Sequence, residues 1–302
     1  MPSRETFAYR RGAQLRAVRA TEKTTGSLDS IYGRAANDFH TFCTLLDKPP
    51  AKHMLEWHRH LITGESNKYL LDIAGANLDI LAPRGSAKST VLNLFTAWTI
   101  GRHTTEKRPL QIIYVSYNIA TAIPKSRIIK QIIDSPEYRK IFPRVQLRSG
   151  MQSDIGWSID FDYAGIPRLG DEEFTLRAAG LRGSITSKRA HLVIVDDPIK
   201  SSADIKNPAI REEMNNNWSS VISPIIFEGG RAMCLGTRFH PLDIHKTMFV
   251  PEKGWKQVTQ EAITYDDRGA PISYWPEQWS ADYLLEQKEL DPVAFAYQYQ
   301  QQ

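Results

Sequence analysis

Apolar residues fall into short runs separated by longer stretches with a helical rhythm. Four runs stand out: "LDILA" at 78–82, "QIIYVSY" at 111–117, "HLVIVDD" at 191–197 and "RAMCLGT" at 231–237. Near-continuous Val, Ile and Leu is how strands covered on both faces read, and this predicts a mostly parallel sheet flanked by helices. The intervening segments "STVLNLFTAWTIGRH", "ATAIPKSRIIKQIIDSPEYRKIF" and "NPAIREEMNNNWSSVIS" are helix candidates of a length that suits crossovers between parallel strands. Alternation in "DIGWSIDFDYAG" and "EFTLRAAG" predicts an added hairpin-like pair. Residues 29–63 read as mainly helical with a break at Pro49-Pro50, and "HMLEWHRHL" sets Met54, Leu55, His58 and Leu61 on one helical face. No internal repeat interrupts this order. The expected organisation is an arm at 1–28, an α/β unit at 29–270 (a helical segment to 70, then the core), and a lid or linker at 271–302, where Trp, Tyr, Glu and Gln accumulate.

The chain has 302 residues, 41% of them hydrophobic, enough to bury a sizeable core. The longest apolar stretch with helical promise, "VLNLFTAWTI", is half the length of the roughly 20 residues a membrane-crossing helix needs, so no membrane span or membrane partner is expected. Cys43 and Cys234, the two cysteines, are too few and too distant for a disulfide framework or a metal knuckle. The net charge is +4, and the arm accounts for it: Arg4, Arg10, Arg11, Arg16 and Arg19 stand against Glu5. This start has no apolar core for secretion, and reads either as a flexible arm for nucleic acid or an acidic partner or as a solvated terminus.

The candidate chemistry begins at "APRGSAKST", 82–90. A phosphate-cradling loop of the form G-x-x-x-x-G-K-[ST] has glycines where this chain has Ala82 and Ala87, yet the stretch follows a predicted strand and opens a predicted helix, as such a loop must. In that reading Lys88 reaches the β- and γ-phosphates of ATP, Ser89 ligates Mg²⁺, and backbone N–H groups favour the anion. Gly85 restores some of the backbone freedom that alanine denies. An ordinary strand-to-helix turn with a surface lysine is the competing reading. "HLVIVDDP" then ends a strand in two acids, Asp196 to hold Mg²⁺ and Asp197 to orient the attacking water; a turn that merely terminates the strand competes. Thr237, at the tip of "CLGTRFHP", is placed to sense the γ-phosphate or the water, or else to form a turn. DNA-contact candidates are Lys125, Arg127 and Lys130 on one predicted helix, and Lys188 and Arg189 before the acidic strand; a solvated basic face is their alternative.

In order, "LAPRGSAKST", "IIYVSYNIATA", "RAAGLRGSITSKRAHLVIVDDP", "MCLGTRFHPLDIH" and "YWPEQWSADYLLEQKELDPVAFAYQYQQQ" resemble the ATPase domain of the large terminase subunit of tailed double-stranded DNA phages, over about 50–302. The resemblance implies an ASCE-type P-loop NTPase that hydrolyses ATP with Mg²⁺ to drive double-stranded DNA into a procapsid. It also implies a homo-oligomeric ring, a pentamer, working with a portal protein and a small terminase subunit in the cytoplasm of an infected bacterial host. By position, the loop residues Arg84, Gly85, Ser86, Ala87, Lys88, Ser89 and Thr90 would cradle nucleotide, with Arg84 the family's loop arginine. Asp196 would be the Mg²⁺ carboxylate. Asp197 takes a catalytic place where many relatives have glutamate, and Gly236-Thr237 the coupling motif. Arg182 matches an arginine that in some relatives reaches the neighbouring subunit's ATP, with a DNA contact or loop salt bridge as alternatives. Trp57, His58 and Arg59 lie where the family contacts adenine, though a buried helix face also explains Trp57. Relatives continue into an RNase H-like nuclease domain beyond the point where this chain ends, so no nuclease activity is expected of these residues. A helicase-like remodelling ATPase and a nucleotide-binding regulatory module without turnover are the alternatives.

Overall fold

The computed structural model describes residues 28–62, 77–167, 174–183, 185 and 188–302. Apart from Leu28, the basic arm expected at 1–28 lies outside these residues. Three helices lead: α1 (Leu28–Asn37), α2 (Phe39–Leu45) and α3 (Met54–Ile62). The core follows with β1 (Asn77–Leu81), α4 (Lys88–Thr105), β2 (Ile112–Ser116), α5 (Ile119–Asp134), α6 (Pro136–Ile141), β3 (Leu147–Gln152), β4 (Gly156–Ile159), α7 (Phe161–Ala164), β5 (Leu176–Gly180) and β6 (Ala190–Asp196). Then come α8 (Ser202–Lys206), α9 (Pro208–Asn217), β7 (Ile226–Gly236), α10 (Ile244–Thr247) and β8 (Trp255–Thr259). A two-stranded ribbon, β9 (Ile263–Tyr265) with β10 (Pro271–Ser273), precedes α11 (Ala281–Leu290) and α12 (Pro292–Gln298).

Eight strands form one sheet in the order β3-β4-β5-β2-β6-β7-β1-β8. The six from β5 to β8 run parallel, and β3 and β4 close one edge antiparallel. This is the α/β class, a mostly parallel sheet flanked by helices, expected from the apolar runs. The four runs are β1, β2, β6 and β7. Because successive side chains on a strand point to opposite faces, Ile112, Tyr114, Leu192 and Ile194 enter one core with α1 to α6, while Ile113, Val115, Val193 and Val195 enter a second with Trp218 and Phe249. Parallel pairing brings the carboxyl ends of β1, β2, β6 and β7 to one edge, where ligands of open α/β sheets bind.

Several boundaries differ from the sequence reading. The helix expected over 120–142 breaks at Ser135, whose side chain caps Tyr138 N–H while Pro136 opens α6. The helix expected to 223 ends at Asn217 and passes into a π turn at Trp218–Ile222. The hairpin-like pair is an edge of the main sheet, with β4 antiparallel to β5 and β5 parallel to β2. On α3, Trp57 and not Leu55 completes the buried face with Met54, His58 and Leu61, and Leu55 is exposed. Among the described residues no helix is long and apolar enough to cross a membrane.

Candidate nucleotide site

The turn from β1 to α4 is held by its own polar atoms. Ala82 N–H donates to Gly236 O at 2.9 Å, and Thr237 Oγ1 donates to Ala82 O at 2.9 Å, so the tip of β7 is tied to the start of the loop. Ser86 Oγ donates to Pro83 O at 2.7 Å, and Lys88 Nζ to the same carbonyl at 3.0 Å. Gly85 (φ 74°) and Ala87 (φ 62°) both adopt left-handed backbone. Ala87 is the residue before α4 and offers no side-chain cap, so the first N–H groups of that helix are left for an incoming acceptor.

The two acids of β6 meet this loop. Ser89 Oγ donates to Asp196 Oδ1 at 2.9 Å, and the Tyr114 hydroxyl lies 3.1 Å from Asp196 Oδ2 and 3.0 Å from Asn93 Oδ1. Lys125 Nζ, arriving from α5, stands 3.5 Å from Asp196 Oδ2. Lys88 Nζ is 3.8 Å from Asp197 Oδ1. Asp196 is 1% exposed, and burial, reinforced by the charge of Asp197, raises its pKa against the opposing pull of Lys125, Ser89 and Tyr114. Burial and the neighbouring Asp196 likewise push the Tyr114 hydroxyl up. These groups border a cavity of about 580 Å³, whose walls carry Arg84, Lys88, Lys125 and Lys200 against Asp196 and Asp197. Such walls are net positive, with hard oxygen donors at their base, and are suited to a polyphosphate with a divalent cation.

The chain is 23% identical over 282 residues to the large terminase subunit of Enterobacteria phage T3, an alignment covering 88% of this chain and 44% of that protein. The resemblance to phage large terminases stands. The chain thus spans less than half the length of this curated relative. No protein-family model matches it. Among solved structures it is similar to an ATPase-domain mutant of the Thermus phage P74-26 large terminase (TM-score 0.49, 13% identity, 85% of this chain and 96% of that one). It is also similar to the large terminase of a thermophilic bacteriophage in complex with ADP (TM-score 0.45, 9% identity, 82% and 52%).

Of the residues singled out in the sequence, Arg84, Gly85, Lys88, Ser89, Asp196, Asp197 and Thr237 border the one cavity. Ser86 is turned inward, and Thr90 faces a separate groove between α4 and α5. Trp57 and His58 face the core: Trp57 packs on His53 with ring centroids 4.9 Å apart and His58 on Phe39 at 4.4 Å. It is His53, just before α3, that approaches the loop, with Nε2 3.4 Å from Ser86 O. Arg182 stands outside the cavity, bonded to Glu213 at 2.6 Å and to the Tyr117 hydroxyl at 3.1 Å. Lys125, grouped with Arg127 and Lys130 in the sequence, is separated from them: both of those pair with the half-buried Asp154, at 2.6 and 3.2 Å. Arg189 donates to Pro224 O at 3.3 Å.

Sequence reasoning missed several residues that shape the site. The tail touches the loop directly: Arg84 donates from its backbone N–H to Gln298 O and from Nη1 to Gln298 Oε1, and a Cβ on Gly85 would lie 2.8 Å from the Trp279 ring. Gln301 Oε1 accepts from Arg238 N–H at 3.0 Å. Beneath the loop, Asp79 of β1 is fully buried and bonded by His245 Nδ1 at 3.0 and 3.1 Å and by Gln257 Nε2 at 3.1 Å. A carboxylate inside the apolar run "LDIL" was the available signal, since a buried charge requires a partner. Burial lowers the His245 pKa, but the charge and hydrogen bond of Asp79 together outweigh it and leave it raised.

Proposed function

We propose that this chain is the ATP-hydrolysing motor portion of a phage large terminase, which uses Mg²⁺ and ATP to move double-stranded DNA into a procapsid. The observation that carries this reading is the joining of loop and acidic strand, Ser89 to Asp196 and Lys88 to Asp197, with Thr237 fixed beside them. Mg²⁺ suits the oxygens of Ser89 and Asp196, which already converge, and bound there it would neutralise charge developing on the transferred phosphoryl group. Lys88 and the exposed start of α4 bind and orient the phosphates. Asp197, 45% exposed where Asp196 is buried, accepts the proton of the attacking water and aligns it. Thr237, bonded to Ala82 O, passes displacement of the loop to β7, and so links phosphate occupancy to movement. Working with a portal protein, a small terminase subunit and copies of itself in a ring, a pentamer by the resemblance, belongs to the same proposal. So does a position in the bacterial host's cytoplasm, and the continuation of 271–302 as a lid or linker.

The test is steady-state ATP turnover as a function of protein concentration. The expected outcome is turnover that rises more than proportionally, disappears in Lys88→Ala, and disappears in Asp197→Asn while nucleotide binding persists. Arg182→Ala should reduce the assembled rate by about 10³ to 10⁵, the usual value of an arginine at a γ-phosphate. Turnover proportional to concentration and indifferent to Arg182→Ala overturns the shared site; binding without turnover at any concentration favours a regulatory module.

A further inference from the structure

We infer that Gln298 is a positioning residue for nucleotide binding, whose side-chain amide holds the Arg84 guanidinium at the cavity wall without neutralising it. The inference rests on the cavity being a nucleotide site. The tail meets the loop through "QYQQQ", 298–302, and three of these glutamines have separate partners. Gln300 bonds both ends of its amide to the main chain of Ile263, at 2.9 Å each, and so fastens the tail to β9. Gln301 Oε1 accepts from Arg238 N–H at 3.0 Å, and its Nε2 donates to Gln298 O at 3.1 Å. Gln298, the last residue of α12, accepts twice from Arg84: its carbonyl from the backbone N–H at 3.2 Å and its Oε1 from Nη1 at 3.0 Å. A guanidinium only donates, so the amide must turn its oxygen to Arg84, and its Nε2 then reaches Ser202 Oγ at 3.4 Å.

The chemical type of the partner matters. Lys88 and Lys125, on the same cavity, stand 3.8 Å from Asp197 and 3.5 Å from Asp196, and Arg182 outside it is bonded to Glu213. Among the described residues, the Arg84 guanidinium is instead held by the Gln298 amide and the face of Phe239, 6.0 Å from the ring centroid, neither of which carries a net charge. Arg84 and Phe239 both border the cavity. An arginine side chain that must be ordered when an anion arrives gives up affinity to lost rotamer freedom, and one ordered beforehand does not. A carboxylate at 298 would order it equally well but cancel its charge. Glutamine does the first without the second.

Isothermal titration calorimetry with Mg²⁺ and a non-hydrolysable ATP analogue, run beside thermal melting, tests this without turnover. Gln298→Ala leaves the backbone bond to Arg84 in place and should weaken the analogue about fivefold. In an Arg84→Ala background the same change should matter less than about twofold. Gln298→Glu should keep the melting temperature, because Arg84 gains a stronger acceptor, yet bind the analogue about tenfold more weakly. A merely structural contact would not separate stability from affinity in this way. Equal loss from Gln298→Ala with and without Arg84, no loss in either, or undiminished binding by Gln298→Glu overturns the inference while leaving the nucleotide site standing. Absence of binding by the unaltered chain overturns both.

Discussion

Ala87 occupies backbone that alanine disfavours, with φ 62° and ψ 27°. Left-handed backbone costs a residue with a Cβ about 1–2 kcal/mol, while glycine in its place loses about 0.4–1 kcal/mol more chain entropy on folding. Ala87→Gly should therefore stabilise the protein by up to about 1 kcal/mol, measurable as a higher urea midpoint with unchanged slope. The same arithmetic forbids the reverse change at Gly85, where φ is 74° and Trp279 closes the space. These departures from the glycine pattern were legible in the sequence, as were the two acids. The place of Lys125 was legible too, but only by helix geometry. Residues two apart do not share a helical face, so Lys125 and Arg127 diverge; Arg127 and Lys130, three apart, meet on Asp154. Grouping basic residues by proximity in sequence concealed this.

At the level of elements, β7 is fixed from both sides: Thr237 bonds to the loop, and the ring of His245 on α10 lies against Gly236. A Cβ on Gly236 would sit 2.5 Å from His245 Cε1, and the ring is held in place by Asp79. Gly236→Ala should cost about 1–3 kcal/mol by overpacking. In the double variant with His245→Ala, the summed single losses should exceed the combined loss, because removing the ring removes the clash; chemical denaturation of the four proteins gives that coupling energy. Additive losses would mean the two do not meet. The central strands were readable because both their faces are buried. The edges were not: β3 and β8, "LRSGMQ" and "WKQVT", have no continuous apolar run and owe their place to a neighbour's free edge. The two long helix candidates kept their apolar rhythm through Ser135 and Asn217, where capping by Ser135 and the turn into Trp218–Ile222 end them.

Across the whole molecule, the helical layer over one face of the sheet contains three buried histidines whose ionisation opposes folding. Burial lowers the pKa of His53 and His58 to about 4 and that of His103 to about 3, assisted at His103 by Arg108 and at His58 by His40. The unfolded chain, with histidines near 6.5, binds these protons first as pH falls. Each group's contribution to stability is therefore complete above pH 6.5 and is lost progressively as pH drops toward 4, by up to about 1.4 kcal/mol for each pH unit crossed. His245 has the opposite sign: its raised pKa gives stability that is complete below 6.5 and lost as pH rises through the folded value, so its contribution stays constant where the other three are lost. Among the described residues, neither ring nitrogen of His103, which is 2% exposed, has a hydrogen-bond partner. Replacing it with an apolar residue should remove its share of the titration without leaving a polar group unmet. Melting temperatures measured between pH 7 and pH 4 should thus fall steeply for the unaltered chain and less steeply for His103→Leu. Parallel curves would mean that His103 is protonated with equal ease folded or unfolded, and that water reaches a site the packing closes.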